Sequence, residues 1–249
     1  MALPDSAGAL LVFHDLTRLR QLEAIRQEFV ANVSHELRTP LSLIRGAAET
    51  LIDGGKDDPA TLVRFLEIID RHSSRLALLI EDLLLLSALD SGRIELHVAP
   101  VNLRTAVQEL CDDHAAAART RGTTLINEVP PELTVRADAG RLRQVLANLV
   151  DNAVKYGREQ GEVRTGASVL GAGWVQVFVR DDGPGIPAEA RDRVFERFFR
   201  VDKARTRAQG GTGLGLAIVK NLVQAHGGEV RVESAENRGT TFYFKLPAA

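Results

Sequence analysis

From residue 17 onward the apolar positions fall at spacings of three and four: Leu19, Leu22, Ile25, Phe29, Val33 and Leu37, then Leu41, Ile44, Ala48 and Leu51. That period predicts one long amphipathic helix. The run Asp53-Gly-Gly-Lys-Asp-Asp-Pro59 stops it with residues that favour turns and oppose helix continuation. A second helix follows, with positions 62, 66, 69, 73, 76, 80, 83 and 87 in heptad register filled by Leu, Leu, Ile, Ser, Leu, Ile, Leu and Ser. Phe65, Leu79 and Leu86 lie outside that register and widen the stripe. Two antiparallel helices bury such wide stripes poorly alone. Pairing of two hairpins into a four-helix bundle, a symmetric homodimer, is therefore expected. Asp90-Ser-Gly-Arg93 ends the second helix and marks a domain boundary.

Beyond residue 94 the pattern becomes mixed. It predicts a strand at 95–99, a helix at 103–121, strands at 124–129 and 134–137, and a helix at 140–156. Two alternating runs, 163–170 and 174–180, are joined by Gly171-Ala-Gly173 as a turn. A helix at 214–226, closed by Gly227-Gly228, precedes strands at 229–234 and 240–246. Helices on one face of a mostly antiparallel sheet make an α+β sandwich. The expected division is 1–16, 17–94 and 95–249. Residues 8–15 read as a single strand that cannot bury its apolar side chains alone.

Composition excludes some classes of function. A formal net charge of −2 on 249 residues gives no electrostatic case for nucleic acid or an anionic membrane surface as main partner. The single cysteine, Cys111, excludes an internal disulfide and suits a reducing compartment. No stretch approaches the roughly 20 apolar residues that span a bilayer, and the N-terminus lacks a signal peptide's pattern. The chain reads as cytoplasmic, or as the cytoplasmic part of a membrane-bound sensor.

Within the first helix, residues 29–41 carry a reactive arrangement. Advancing about 100° per residue from the stripe of Val33 and Leu37 puts His35 on the solvent side, with Glu36 beside it and Thr39 on the same exposed face. Pro40 removes a backbone N–H, so a bend just after the histidine is expected. A neutral imidazole is a competent nucleophile, and a neighbouring carboxylate can take its proton and stabilise the cation formed on attack.

Four motifs carry the second half. Asn148, Asn152, Lys155 and Tyr156 fall close to one helix face, where two amides, an ammonium and a ring suit a triphosphate, a hard cation and a flat base; a polar solvated face is the other reading. Asp181-Asp-Gly183-Pro-Gly185 follows a strand, so its first carboxylate can accept from an exocyclic amine; a plain tight turn is the alternative. Phe195-Glu-Arg-Phe198-Phe199-Arg200 places aromatics in a charge-rich segment, consistent also with simple docking of a loop. Gly210-Gly211-Thr-Gly213-Leu-Gly215-Leu216 runs straight into a helix, which makes a backbone anion site. No Gly-Lys-Ser/Thr follows, so it is not a Walker loop. No parallel βαβ unit surrounds it, so it is not a dinucleotide site.

In this order, and with the His35 segment upstream, the motifs resemble the H, N, G1, F and G2 boxes of sensor histidine kinases, whose ATP-binding half belongs to the GHKL superfamily. The resemblance covers about residues 17–247. It implies a dimeric helical phosphoacceptor domain followed by a Bergerat sandwich that binds ATP and Mg²⁺. Within that site it implies Asp181 on the adenine amine, Tyr156 along the base, Asn152 on the metal, and Asn148 and Lys155 toward the phosphates. Gly183, Gly185, Gly211, Gly213, Gly215 and Leu216 line the site. The segment 200–211, with Lys203, Arg205 and Arg207, is expected as a lid. His35 would take the γ-phosphoryl group with Glu36 as general base and pass it to an aspartate of a response regulator, and Thr39 would assist dephosphorylation of that regulator. Residues 8–15 resemble the last strand of a PAS-type sensor, and the Glu49-Thr-Leu-Ile-Asp-Gly54 stretch is similar to phosphate-regulon sensors. A GHKL ATPase, or a phosphatase or scaffold without autokinase activity, is the alternative.

Overall fold

The computed structural model describes residues 14–171, 173–201 and 211–249. The chain divides into two compact units, one up to residue 68 and the other from residue 69 on. In the first, α1 (Thr17–Ile52) opens with Asp15 Oδ1 accepting the Thr17 N–H at 2.8 Å. It continues through Pro40, whose ring removes one backbone donor from the helical ladder. Gly54, at φ 116°, leads into a 3₁₀ turn at Gly55–Asp57, and α2 (Pro59–Asp90) begins with proline at its first turn. Asp58 Oδ2 accepts the Thr61 N–H and caps α2. The helix α2 runs on into the second unit, where Leu79 and Leu86 are buried. No helix among the described residues is long and apolar enough to cross a membrane.

The second unit is the expected α+β sandwich. Its five-stranded sheet contains β2 (Thr124–Asn127), β4 (Glu162–Leu170), β5 (Trp174–Asp181), β6 (Val230–Ser234) and β7 (Thr240–Pro247), in the order β2-β4-β5-β7-β6. Only the β2–β4 pair is parallel. Alternation decides which face is covered: Val175, Val177 and Val179 of β5 and Phe244 and Leu246 of β7 are almost fully buried. Equally buried are Leu142, Leu146 and Leu149 of α4 (Ala139–Tyr156) and Ile218 and Leu222 of α6 (Gly215–Ala225). With α3 (Leu103–Arg121), these helices bear the apolar stripes that close the core.

Three details differ from the sequence reading. The strand expected at 95–99 lies instead at β1 (Ala99–Asn102), paired antiparallel with β3 (Thr134–Ala137) as a separate two-stranded sheet. Pairing begins at Ala99 opposite Ala137 because the next residue, Asp138, leaves the ladder to cap α4. The strand expected to reach residue 129 stops at Asn127, whose Oδ1 accepts the Val129 N–H at 3.1 Å and turns the chain. A one-turn helix, α5 (Ala188–Arg191), was not expected. Most of the PAS-like strand, Ala172 of the predicted turn, and Lys203, Arg205 and Arg207 of the predicted lid lie outside the described residues.

Candidate active site

His35 is exposed on α1, flanked by half-buried Val33 and Leu37, as the helical period requires. Glu36 is half-buried and Thr39 is exposed. The Thr39 hydroxyl donates to the His35 carbonyl at 3.3 Å, a long bond on the same helix face.

The helix α4 carries the first nucleotide motif. Its buried stripe of Leu142, Val145, Leu146, Leu149, Val150 and Ala153 leaves Asn148, Asn152, Lys155 and Tyr156 half-exposed. Lys155 Nζ pairs with Asp151 Oδ2 at 2.5 Å. Asp181, the last residue of β5, is only 7% exposed, and its Oδ1 accepts the Gly183 N–H at 2.8 Å. Burial pushes this carboxyl up to about 6; the N–H groups of Gly183 and Thr240 pull it back, the Asp182 charge raises it and Arg180 lowers it. A Cβ at Gly183 would stand 2.8 Å from both Asp181 Oδ1 and the Tyr156 carbonyl, so the absent side chain lets the turn lie against the end of α4. Gly185 packs instead against the backbone at residues 235 and 236.

The aromatic segment and the last glycine run meet. The Phe198 N–H donates to the Gly213 carbonyl at 2.8 Å, and Arg200 Nη2 donates to the Gly211 carbonyl at 2.7 Å. Gly213 has φ 75°, and a Cβ there would lie 3.0 Å from Phe198 Cα, so both conformation and space call for glycine. A Cβ at Gly215 would lie 3.1 Å from Asn148 Oδ1, which puts the first residue of α6 beside the middle of α4. Leu216 follows in the first turn of α6, half-buried. Phe195 docks edge-on against Phe242 at 6.0 Å, so part of this segment is simple loop docking. The turn that follows the buried carboxylate thus adjoins the end of α4, and the glycine-led start of α6 adjoins its middle.

Comparison with known proteins finds two family models that match this chain. Residues 25–92 match the His Kinase A (phospho-acceptor) domain, and residues 137–249 match the histidine kinase-, DNA gyrase B-, and HSP90-like ATPase family. The chain is 40% identical over 242 residues to the sensor histidine kinase WalK of Bacillus subtilis strain 168, covering 96% of this chain and 39% of that protein. The chain belongs to the two-component sensor histidine kinases.

Among solved structures, full-length ShkA in complex with AMPPNP is 36% identical, with a TM-score of 0.67, 89% of this chain and 46% of that one being covered. Histidine kinase ThkA in complex with the response regulator TrrA is 28% identical, with a TM-score of 0.70 over 94% of this chain and 65% of that one. The chain spans about two-fifths of the length of WalK. The similar sequences are WalK sensors, so the phosphate-regulon subtype has no support from them.

Within this histidine kinase the sequence reading missed a set of polar contacts on α2. Asp82 Oδ2 accepts from the Thr212 hydroxyl at 3.3 Å, and that hydroxyl accepts the Leu214 N–H at 3.2 Å. Arg75 Nη2 lies 3.4 Å from the Gly211 carbonyl, and Arg197 Nη2 donates to Asp90 Oδ1 at 2.6 Å. Burial raises the Asp82 carboxyl above its ordinary range, and the Thr212 bond lowers it. The heptad reading followed apolar positions only. Arg75, Asp82 and Asp90 recur at spacings of seven and eight, the one signal that would have placed them on a common face.

Proposed function

We propose that this chain is the kinase core of a sensor: it binds ATP with Mg²⁺, phosphorylates its own His35 and passes the phosphoryl group to an aspartate of a response regulator. The division 17–94 for dimerisation and phosphotransfer and 95–249 for catalysis, after a sensor-module tail at 1–16, goes with this reading. The observation that carries it is Asp181, a buried carboxylate at a strand end, set against the end of α4 while α6 opens with glycines beside Asn148. A buried acceptor next to a backbone anion site suits a nucleotide with an exocyclic amine. Similarity to ShkA, solved with AMPPNP, and to ThkA, solved with its regulator TrrA, supports the nucleotide and the partner. Homodimerisation follows from the apolar side chains left exposed on both long helices, including Leu41, Leu43, Val63, Leu66, Leu78 and Leu84. The setting is the cytoplasmic side of a sensor.

Mg²⁺ fits the residues present. Asn152 offers a neutral amide oxygen, and no group of three or more His, Cys, Asp or Glu among the described residues could hold a metal alone. A hard cation bound largely through phosphate oxygens needs only one or two protein ligands. When bound, it neutralises charge on the triphosphate. Asp181 accepts from the adenine amine, Tyr156 packs along the base, and Asn148 and the start of α6 meet the phosphates. Lys155 reaches the phosphates by exchanging its bond to Asp151. The unprotonated imidazole nitrogen of His35 attacks the γ-phosphorus and the bond to the β,γ-bridging oxygen breaks. ADP leaves, and the proton on the other ring nitrogen passes to Glu36.

The deciding experiment is labelling with ATP radioactive at its γ-phosphate. Acid-labile, alkali-stable label on the protein is expected; phosphate release without label would favour a plain ATPase. In Asn152→Ala, Mg²⁺-dependent nucleotide affinity is expected to fall more than about tenfold while the dimer persists. Calorimetric titration with and without Mg²⁺ checks it, and unchanged binding removes Asn152 from the metal.

Thr39 carries a second activity, dephosphorylation of the regulator. Among the described residues its hydroxyl makes one long bond, to the His35 carbonyl, which it can exchange for a water. Thr39→Ala is expected to keep autophosphorylation and to slow regulator dephosphorylation at least about tenfold. The decay of phosphorylated regulator with either protein, in the presence of ADP, measures this. Equal decay with both means that the threonine only precedes Pro40.

A further inference from the structure

The chain between α2 and the nucleotide-binding fold has a built stop at each end. At the α2 end, Gly92 takes φ 64°, the Arg93 N–H reaches back to the Ala88 carbonyl at 3.0 Å, and the Gly92 N–H reaches Leu89 at 3.1 Å. That left-handed cap terminates the helix sharply. At the other end, the His97 N–H donates to Asp138 Oδ2 at 3.0 Å, two residues before β1 begins to pair with β3.

Asp138 divides its carboxylate between two tasks. Oδ2 holds His97, while Oδ1 accepts the Arg141 N–H at 3.0 Å and caps α4, the helix that carries Asn148 and Asn152. The Arg141 N–H, and with it that of His97, holds this carboxyl below its ordinary range. The Asp138 N–H in turn donates to His226 Nε2 at 3.0 Å, and His226 Nδ1 lies 2.8 Å from the Leu222 carbonyl. A carbonyl only accepts and a backbone N–H only donates, so the imidazole here is neutral with its proton on Nδ1. One aspartate therefore ties together the start of α4, the end of α6 and the incoming linker.

We infer that Asp138 is the anchor at which the linker ends and the rigid nucleotide-binding domain begins, with His226 as the positioning residue that holds the Asp138 backbone. The hinge is thereby confined to residues 93–96. Its relevance to phosphotransfer rests on the kinase proposed above, since the hinge sets how closely bound ATP is presented to His35. Freeing His97 extends the flexible segment to 93–98. The effective concentration of donor at acceptor falls roughly as the −3/2 power of linker length, about twofold here, with lost orientation adding to it.

Asp138→Asn separates the two tasks. The amide oxygen stays on the Arg141 N–H, the –NH₂ faces the His97 N–H, and the cap survives while the anchor is lost. Asp138→Ser also caps but is too short to reach His97. Hydrogen exchange of individual amides in the full chain is expected to show His97 protected in the unmodified protein and unprotected in both variants, with Arg141 protected throughout. Autophosphorylation kcat is expected to fall at least about twofold with KM for ATP unchanged. Persistent protection of His97 in both variants overturns the anchor. Loss of that protection with unchanged kcat overturns its part in the reaction. Absence of label on the unmodified protein would overturn the kinase proposal and leave the exchange result to decide the anchor alone.

Discussion

In His35→Gln, label from γ-radioactive ATP is expected to vanish while ATP affinity stays within about twofold. Glutamine keeps a polar side chain at an exposed position of α1, where substitutions cost roughly 0.5 kcal/mol or less, so the helix is preserved. Its amide has no nucleophilic lone pair, so the loss of phosphoryl transfer is complete rather than partial. Asp181, Asn148 and the start of α6 belong to the other compact unit, and nothing in their arrangement depends on the imidazole. Filter-bound label, together with calorimetric titration of ATP, checks both halves. Residual acid-labile label in His35→Gln would move the phosphoacceptor to another histidine, and lost ATP binding would sink the two-module reading.

Asp181→Asn is expected to weaken ATP by about 10- to 100-fold while raising, not lowering, the stability of the domain. The carbonyl of the new amide stays with the Gly183 N–H, which leaves the –NH₂ facing the adenine amine, donor against donor. A hydrogen bond to a charged acceptor is worth about 1.5–3 kcal/mol, which sets that range. Stability moves the other way because the native carboxyl sits at about 6 against an ordinary 3.8. The folded protein therefore binds more protons than the unfolded chain in that window. The benefit of a protonated Asp181 is fully present below about 3.8 and is lost as the pH rises through about 6. At neutral pH the buried charge costs on the order of 3 kcal/mol, and the asparagine recovers up to about 2 kcal/mol of it after one buried N–H goes unpaired. Thermal melts at pH 7.5 test the stability. Titrations at pH 5 and 7.5 test the companion expectation that ATP affinity of the unmodified protein falls below pH 6. A lower melting temperature for Asp181→Asn, or ATP affinity that does not change with pH, removes the buried acceptor from the account.

The two long helices and their breaks were legible because each signal is local. The three-and-four spacing through residue 51, the turn at 53–59 and the glycine after Asp90 each act within a few residues. The exposure of His35 followed from the same period. Strand pairing was less legible. The β5 and β7 runs alternate cleanly and were read to within a residue, whereas β1 is short, little buried and defined mainly by its partner. Its register comes from Ala137, 38 residues away, and from Asp138 leaving the ladder. Likewise the spacing along α4 named Asn148, Asn152, Lys155 and Tyr156, but could not reveal that Lys155 is held by Asp151.

The sequence by itself determined where the helices, strands and glycine runs fall and that His35 is exposed, because helical and strand periods are set by covalent geometry and local sterics. It also determined the order of the two modules. Only the tertiary structure decided how the motifs converge and what each group's environment does to it. The rise of the Asp181 carboxyl to about 6 arises from burial beneath strands and loops far away in sequence. The division of Asp138 between α4 and His97, and the fixed tautomer of His226, require segments brought together across 41 and 88 residues. Such contacts depend on desolvation and on the direction of hydrogen bonds in three dimensions, and no local pattern in the chain encodes either.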